Sequence, residues 1–194
     1  MPTSETERIW NLLISAHETY YAATSTTYDE VLWEVAQRAE ESGSLGKLDI
    51  GALVVWKRLS ARTRWASALM GLPDTQVRAA TGQAMEVVRD TSRSRGKAAQ
   101  AGRAALITLP GFCKGDALAS AVLTAAAPHR MAVYDSRAQR GLESLGLTLT
   151  DTSGRYGRYM DLLDELLTHK GSFGPSWTAR DIDIALFWIG GKRR

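Results

Sequence analysis

The sequence predicts an all-α protein of nine or ten short helices, and three observations support this. Near both ends of the chain apolar residues recur with the helical spacing i, i+3, i+4, i+7, first at Ile9, Leu12, Leu13 and Ala16. Capping residues and glycines bound the periodic segments. Strand signals are poor, because the short apolar runs at 52–56 and 131–135 have no hairpin turn that would pair them with another run.

The helices are expected to follow one another through short connections. Thr27 and Asp29 offer caps for the second helix, and Gly43 is expected to end it. The apolar periodicity places the remaining helices at about 48–59, 63–70, 75–90, 97–108, 116–127, 136–145, 154–169 and 179–189.

The sequence TSRSRG at 91–96 is the expected flexible connection of the chain. It divides a predicted N-terminal helical lobe, residues 1–92, from a second helical lobe, residues 93–194. The C-terminal helix belongs to the second lobe by sequence, and it is a candidate to pack on the first.

The composition excludes several classes of protein. One cysteine in 194 residues excludes a disulfide framework, a four-cysteine zinc site and a four-cysteine iron–sulfur cluster. The three histidines lack ligand spacing, so no metal site is expected. No apolar run approaches the roughly 18 residues of a membrane span, and the first twenty residues lack the order of a signal peptide. We therefore expect a cytoplasmic protein with no membrane partner.

The small net charge of +3 hides a strong segregation along the chain. Residues 1–50 carry 3 Lys and Arg against 9 Asp and Glu, whereas residues 51–140 carry 14 against 5, a net charge of +9. Clustered positive charge of this kind is typical of a surface that binds a polyanion. One basic cluster consists of Lys57, Arg58, Arg62 and Arg64.

The most informative segment lies inside this basic region, at 103–140. An apolar helix is predicted to end at Leu109-Pro110-Gly111, and a tight turn leads through Phe112 to a small-residue helix that begins near Asp116. The turn and the helix start would present several unpaired N–H groups, which form an anion site. After the second helix comes Val133-Tyr134-Asp135, followed by a third helix that carries Arg137 and Arg140.

Over about 97–145 the chain resembles the helix–hairpin–helix DNA glycosylase superfamily. Leu109, Pro110 and Gly111 match the start of that family's Leu-Pro-Gly-x-Gly hairpin. Asp135 and Arg140 match, in order and spacing, the family's later apolar-x-Asp element and the arginine five residues after it. The resemblance implies a two-lobed helical fold and an enzyme that extrudes a nucleotide from duplex DNA and cleaves its N-glycosidic bond.

The resemblance also implies roles for individual residues. Asp135 is the expected catalytic carboxylate, which stabilises positive charge on the sugar and orients or deprotonates water. The family's lysine nucleophile falls at Gly115, so the expected mechanism is monofunctional, with Lys114 catalytic only if the enzyme is bifunctional. No cofactor is expected, apart from a monovalent cation that some relatives hold at the hairpin. The expected partner is double-stranded DNA, bound by a monomer at the nucleoid.

The remaining expected site residues form two sets. The DNA-binding set combines the hairpin with basic residues: Pro110, Gly111, Phe112, Cys113, Lys114, Gly115, Arg137, Arg140, Lys57, Arg58, Arg62 and Arg64. The base-pocket set consists of aromatic residues that can stack on an extruded base: Tyr134, Trp56, Trp65 and Trp177. Each of these aromatics has packing in the core as its alternative role.

The hairpin departs from the family pattern at Cys113, which replaces the second glycine, and at Asp116, which places negative charge where a phosphate would dock. These departures favour an unusual substrate, such as a hypermodified phage base excised in antiviral defence, over a common oxidised or deaminated base. Two alternatives remain open. In a non-catalytic helix–hairpin–helix DNA-binding module, Asp135 is only a helix cap; in a helical interaction protein, the chain has no role with nucleic acid.

Overall fold

The computed structural model describes residues 4–61, 64–150, 152–170 and 176–191. These residues form ten α-helices and one 3₁₀ helix, with no strand among them, which confirms the predicted all-α class. In chain order the helices are α1 Ser4–Ala23, the 3₁₀ helix Thr26–Asp29, α2 Glu30–Ser42, α3 Lys47–Trp56, α4 Arg64–Met70, α5 Asp74–Arg89, α6 Arg95–Leu106, α7 Ala117–Ala126, α8 Ser136–Ser144, α9 Arg155–Thr168 and α10 Ala179–Gly191.

The caps expected for α2 differ in the structure. Asp29 stands at the N-cap of α2 but makes no side-chain cap hydrogen bond there, and Thr27 lies within the 3₁₀ helix.

Local signals explain several of the helix boundaries. Gly43 ends α2 in the left-handed conformation, with φ of 69°, as its place after the last periodic residue predicts. Ser94 caps α6 by accepting a hydrogen bond from the Lys97 N–H at 3.3 Å. Asp49, in the first turn of α3, accepts a 2.9 Å hydrogen bond from the Gly46 N–H that precedes the helix.

The segment 91–96, expected to be a flexible connection, runs directly into α6. Arg95 and Gly96 already belong to α6, and Gly96 is buried with the Asp161 side chain of α9 directly against it. Residues 91–94 are exposed and lie outside the helices, and Ser94 at the end of this stretch is the N-cap of α6.

Helix α7 lies at the centre of the molecule. Every residue from Leu118 to Ala126 is buried, which agrees with a sequence that is apolar on all sides of the helix. Helices α2, α3, α5 and α6 pack around it. Its two buried hydroxyls are satisfied, since Thr124 donates to the Ser120 carbonyl at 2.8 Å and Ser120 accepts from the Tyr134 N–H at 2.9 Å.

One hydrophobic core continues across the predicted boundary between residues 92 and 93, because α5 and α6 pack along each other on either side of it. The C-terminal helix α10 packs on α1 from the first half of the chain and on α8 from the second. Within the described residues no helix combines the length and apolar character that a bilayer span needs.

Helices α8 and α10 approach each other so closely that two glycines are required. A Cβ on Gly141 of α8 would overlap the Leu186 carbonyl of α10, and a Cβ on Gly190 of α10 would overlap the Arg137 carbonyl of α8. Arg140 adds a cross-link by donating from Nε to the Gly190 carbonyl at 3.0 Å. The spacing of α8 from α10 is therefore set by backbone contact.

We predict that Gly141→Ala or Gly190→Ala lowers the free energy of unfolding by roughly 2–3 kcal/mol, because the added methyl group overpacks a backbone contact. Gly51→Ala is the matched control: Gly51 lies inside α3 with open space around its Cα, so the same change there should stabilise by about 0.5–1 kcal/mol. Urea denaturation of the three variants checks this, and equal effects at buried and open positions would contradict it.

Candidate active site

A cleft of about 860 Å³ opens where five parts of the chain meet. They are the end of α1 with the 3₁₀ helix, the end of α3, the first residue of α7, the first turn of α8 and the outer face of α10. Its lining combines aromatic rings, positive charge and one partly buried carboxylate, among the residues Tyr20, Tyr28, Trp56, Lys57, Arg58, Asp135, Arg137, Arg180, Phe187 and Trp188.

Asp135 reaches this cleft at the end of the extended segment 131–135, which buried hydrogen bonds hold in place. The Tyr156 hydroxyl donates to the Ala132 carbonyl at 2.9 Å, and the Tyr134 N–H donates to Ser120 Oγ at 2.9 Å. The Val133 N–H donates to the buried carboxylate of Asp183 at 3.3 Å. Because the segment is tied down on several sides, the position of Asp135 is fixed by the core.

The Asp135 carboxylate makes two kinds of contact. Oδ1 caps α8 by accepting from the Arg137 and Ala138 N–H groups at 2.9 and 3.0 Å. Oδ2 accepts from Lys57 Nζ at 2.8 Å. Burial opposes ionisation of this carboxyl, but the Lys57 charge and hydrogen bond together with the two helix amides outweigh burial and hold the pKa of Asp135 below its usual range. Asp135 is therefore an anion at neutral pH, with one oxygen facing the cleft's lysine.

A second group of charges lies at the floor of the cleft, where Arg180 lines the cleft and Asp183 is buried. Arg180 contacts Asp183, and its Nη2 donates to Asp29 Oδ2 at 3.1 Å. Its guanidinium also stacks on Trp56, 5.4 Å from the ring centroid, and Trp56 Nε1 donates to Asp29 Oδ1 at 3.0 Å. Burial raises the pKa of Asp183 to about 6, against the opposing attraction of Arg180 and Lys57.

The hairpin is a compact turn that leads directly into the cleft. Gly111 and Gly115 adopt positive φ of 94° and 72°, while Phe112 is buried as the anchor of the turn. Cys113 and Lys114 are exposed at the tip. Ala117, the first residue of the following helix, lines the cleft. None of the hairpin residues 110–115 lines the cleft itself, so the hairpin meets the cleft only through the start of α7.

Asp116, expected to repel a phosphate at the hairpin, is buried and compensated. Arg103 Nε donates to Asp116 Oδ1 at 2.5 Å and Arg155 Nε donates to Oδ2 at 3.2 Å. Two guanidinium groups therefore more than neutralise this carboxylate, so its charge does not oppose an anion at the start of α7.

The structure brings together three of the basic residues predicted to bind DNA, because Lys57, Arg58 and Arg137 line the cleft. Arg140 instead joins α8 to α10 through its bond to the Gly190 carbonyl. Arg64 is exposed at the first residue of α4. Arg62 lies outside the described residues.

Of the four aromatic residues predicted for a base pocket, only Trp56 lines the cleft among the described residues. Trp65 covers Gly111 of the hairpin, and Trp177 packs against Trp10 with ring centroids 5.4 Å apart. Tyr134 is buried, and its hydroxyl donates to Gln139 Oε1 at 2.8 Å. These three aromatics pack within the protein, which is the alternative role that the sequence left open.

Four further aromatic residues line the cleft that the sequence did not mark as site residues: Tyr20, Tyr28, Phe187 and Trp188. The residues on α10 flank its buried stripe, a position from which a side chain can reach a surface cleft, but this signal alone does not separate a cleft from open surface. A smaller cavity of about 240 Å³ shares Tyr20, Tyr28 and Arg180 with the cleft. In the described residues no group of three His, Cys, Asp or Glu side chains is arranged to hold a metal ion.

Comparison of the chain with known protein families, with curated proteins and with solved structures finds no match in any of the three.

We predict that Lys57→Gln raises the pKa of Asp135, because the variant removes the cation whose attraction favours the ionised carboxyl. A folded-state pKa below the unfolded value means that Asp135 contributes stability above about pH 4, and this stability is lost as the pH falls through the folded pKa. Carbon-13 NMR titration of the Asp135 carboxyl checks the shift. Arg64→Gln is the control, and an unchanged Asp135 titration in Lys57→Gln would contradict the prediction.

Proposed function

We propose that this protein is a DNA N-glycosylase that extrudes a modified or damaged base from duplex DNA and cleaves its N-glycosidic bond, leaving an abasic site. One observation carries the proposal: Asp135, the carboxylate that the family resemblance marks as catalytic, lies in the wall of a cleft lined by arginines and aromatic rings. A carboxylate that served only as a helix cap would not need such surroundings.

The cleft offers the contacts that an extruded nucleotide requires. Tyr28, Phe187 and Trp188 line the cleft with partly exposed rings on which a base can stack, whereas Trp56 is buried beneath them. Cationic side chains along the cleft supply positive charge for the flanking phosphates. The hairpin, with main-chain N–H groups at the start of α7 and two arginines around Asp116, supports a further phosphate contact close by.

The proposed reaction uses water and the Asp135 carboxylate. As the bond between the sugar C1′ and the base nitrogen breaks, the bonding electron pair leaves with the base, and positive charge develops on the sugar. The anionic Asp135 stabilises this charge and accepts a proton from the water that attacks C1′. The proton taken up by Asp135 then passes through solvent to the departing base, so the base leaves protonated, the sugar carries a new hydroxyl and Asp135 is an anion again. Lys57 holds Asp135 ionised and in place before substrate binds.

The positions of the lysines favour this water route over a covalent one. Lys114 is exposed at the tip of the hairpin. Lys57 faces the cleft, but its Nζ is bound to Asp135 at 2.8 Å, and an ammonium held in an ion pair has no lone pair for attack on C1′. The enzyme is therefore proposed to be monofunctional.

The size of the cleft bears on the substrate. A volume of about 860 Å³ lies toward the upper end of the roughly 300–1,000 Å³ range of small-molecule sites, and the adjoining cavity adds about 240 Å³. This room supports a base that carries a bulky substituent, such as a hypermodified phage base, as the substrate. Excision of such a base from invading DNA is antiviral defence.

A non-catalytic helix–hairpin–helix DNA-binding module is the second candidate. The observation that favours it is the capping of α8 by Asp135 Oδ1, with two well-formed hydrogen bonds, because a cap explains the residue without any chemistry. The two candidates differ in what a change at Asp135 should do.

We predict that Asp135→Asn abolishes release of base while DNA binding is retained. Asparagine caps a helix as well as aspartate, so the fold is kept, but its neutral amide neither stabilises positive charge on the sugar nor accepts a proton. A loss of about 10²–10⁴-fold in rate is expected. The measurement is formation of abasic sites in a panel of duplexes with modified bases, including glucosylated phage DNA.

Asp90→Asn is the matched control, because Asp90 also accepts a main-chain N–H bond, from Ser92, and lies outside the cleft lining. It should leave activity unchanged. If the protein binds DNA but forms no abasic site in any substrate, the proposed glycosylase activity is overturned and the non-catalytic DNA-binding module is favoured.

We also predict that borohydride treatment during turnover traps no covalent adduct between protein and DNA, because the proposed nucleophile is water. The assay is denaturing electrophoresis with labelled substrate, run beside Lys57→Gln and Lys114→Ala. An adduct that disappears in one of these variants would overturn the water mechanism and identify the lysine that attacks.

A further inference from the structure

We propose that Arg58 is a phosphate-binding residue that the fold keeps at an energetic cost, and that it acts together with Arg137 as the phosphate-binding pair of the cleft. This inference rests on the proposed function in one respect, that the ligand of the cleft is DNA. It adds which of the cleft's cations contact the DNA backbone and how the protein presents them.

The backbone at Arg58 is the first observation. Helix α3 ends with the Arg58 N–H bonded to the Val55 carbonyl at 3.0 Å and the Leu59 N–H bonded to the Val54 carbonyl at 2.9 Å. This pattern places Arg58 at the left-handed position after the helix, with φ of 52°. Glycine is the usual residue there, because any side chain crowds the backbone in that conformation.

The rest of the chain follows that preference. Among the described residues, every other position with φ in the left-handed region holds glycine, namely Gly43, Gly111, Gly115, Gly146 and Gly154. Arg58 is the exception in that part of the chain, and it occurs at the edge of the candidate active site. Strained backbone retained at a cleft indicates that the side chain has a task there.

The position of the side chain is the second observation. The exposed Arg58 guanidinium lies over the Tyr28 ring, 5.8 Å from its centroid, and Tyr28 is itself fixed by donating to the Trp56 carbonyl at 2.8 Å. Arg137 is held in the same way over Phe187, at 4.7 Å. A stacked guanidinium keeps its N–H edge available, and that edge matches the geometry of a phosphate.

The charge balance of the cleft is the third observation. Lys57 is paired with Asp135, and Arg180 is paired with Asp29 and Asp183. Within the described residues no carboxylate pairs with Arg58 or Arg137. Of the four cations that line the cleft, these two therefore carry the positive charge that is left for a ligand. Two stacked guanidiniums with free donor edges fit the phosphodiesters of a DNA strand.

Two substitutions at Arg58 separate its charge from its backbone strain. Arg58→Gly removes both the charge and the strain, whereas Arg58→Gln removes the charge and keeps a side chain in the left-handed conformation. Arg8→Gln is the control for net charge, because Arg8 is exposed near the start of α1, where it pairs with Glu5. The probe is an unmodified DNA duplex, with affinity measured by fluorescence anisotropy from low to high salt and Tm measured by calorimetry.

We expect both Arg58 variants to bind the duplex about tenfold more weakly at low salt. Their plots of log affinity against log salt should be shallower by about 0.9, the contribution of one phosphate contact. Only Arg58→Gly should raise Tm, by about 2–4 °C, because the strain is relieved. Arg137→Gln should reduce the salt slope by a similar amount. Arg8→Gln should change neither quantity.

Salt slopes that stay unchanged in the Arg58 variants, or that fall equally in Arg8→Gln, overturn the phosphate role. If the Tm of Arg58→Gly does not exceed that of the wild type, the claim that Arg58 strains the backbone is overturned. The binding assay does not require base excision. If the salt slope depends on Arg58 but no substrate yields an abasic site, the glycosylase proposal is overturned and the phosphate role of Arg58 stands. If base is excised but the salt slope is unchanged in the Arg58 variants, the phosphate role is overturned and the glycosylase proposal stands. If the protein binds no DNA, both proposals are overturned.

Discussion

The buried ion cluster around Arg180 is the interaction on which the candidate site depends. Arg180 joins α10 to Asp29 at the end of the 3₁₀ helix, and it holds Asp183, whose carboxylate accepts the Val133 N–H in the segment that delivers Asp135. Loss of one partner from such a cluster leaves a buried charge uncompensated and costs about 3–5 kcal/mol. Trp56 at the end of α3 donates a hydrogen bond to the same Asp29. Arg180 therefore holds both the base of the cleft and the end of α3 in position. A core of apolar residues alone would not fix these four pieces in one register, because apolar contacts are not directional.

Around that cluster, backbone contact between α8 and α10 sets the distances. Gly141 and Gly190 bring the two helices together at the closest approach that a backbone allows, and α10 in turn packs on α1. The first turn of α8 is consequently placed against Phe187, and Asp135 is placed within reach of Lys57 from α3. Helix packing at this separation tolerates no added side chain, so the geometry of the cleft and the stability of the fold rest on the same two positions.

Asp135 and Arg58 show two ways in which stability and a functional site meet in this molecule. At Asp135 the needs of stability and of the candidate site agree, because one oxygen caps α8 while the other faces the cleft. The helix amides that it caps also favour the ionised carboxylate. At Arg58 stability and the proposed phosphate contact conflict, since a glycine would suit the left-handed backbone, whereas the proposed contact needs a guanidinium. The cleft's charges follow the same division. Lys57 and Arg180 are neutralised by carboxylates as parts of the structure, while the exposed Arg58 and Arg137 lie over aromatic rings.

The sequence by itself determined the helices, the stop of α2 at Gly43, the Pro-Gly hairpin and the position of Asp135 before α8, because each depends on residues within a few places of one another. It also located the basic middle region, but it did not separate Lys57 from Arg64 or Trp56 from Trp65, since an aromatic residue packs equally well in a core or a cleft. Only the tertiary structure decided that Lys57 pairs with Asp135 across 78 residues and Arg180 with Asp29 across 151. Such pairs carry no local signature, because their partners are brought together by helix packing and by the need to compensate buried charge.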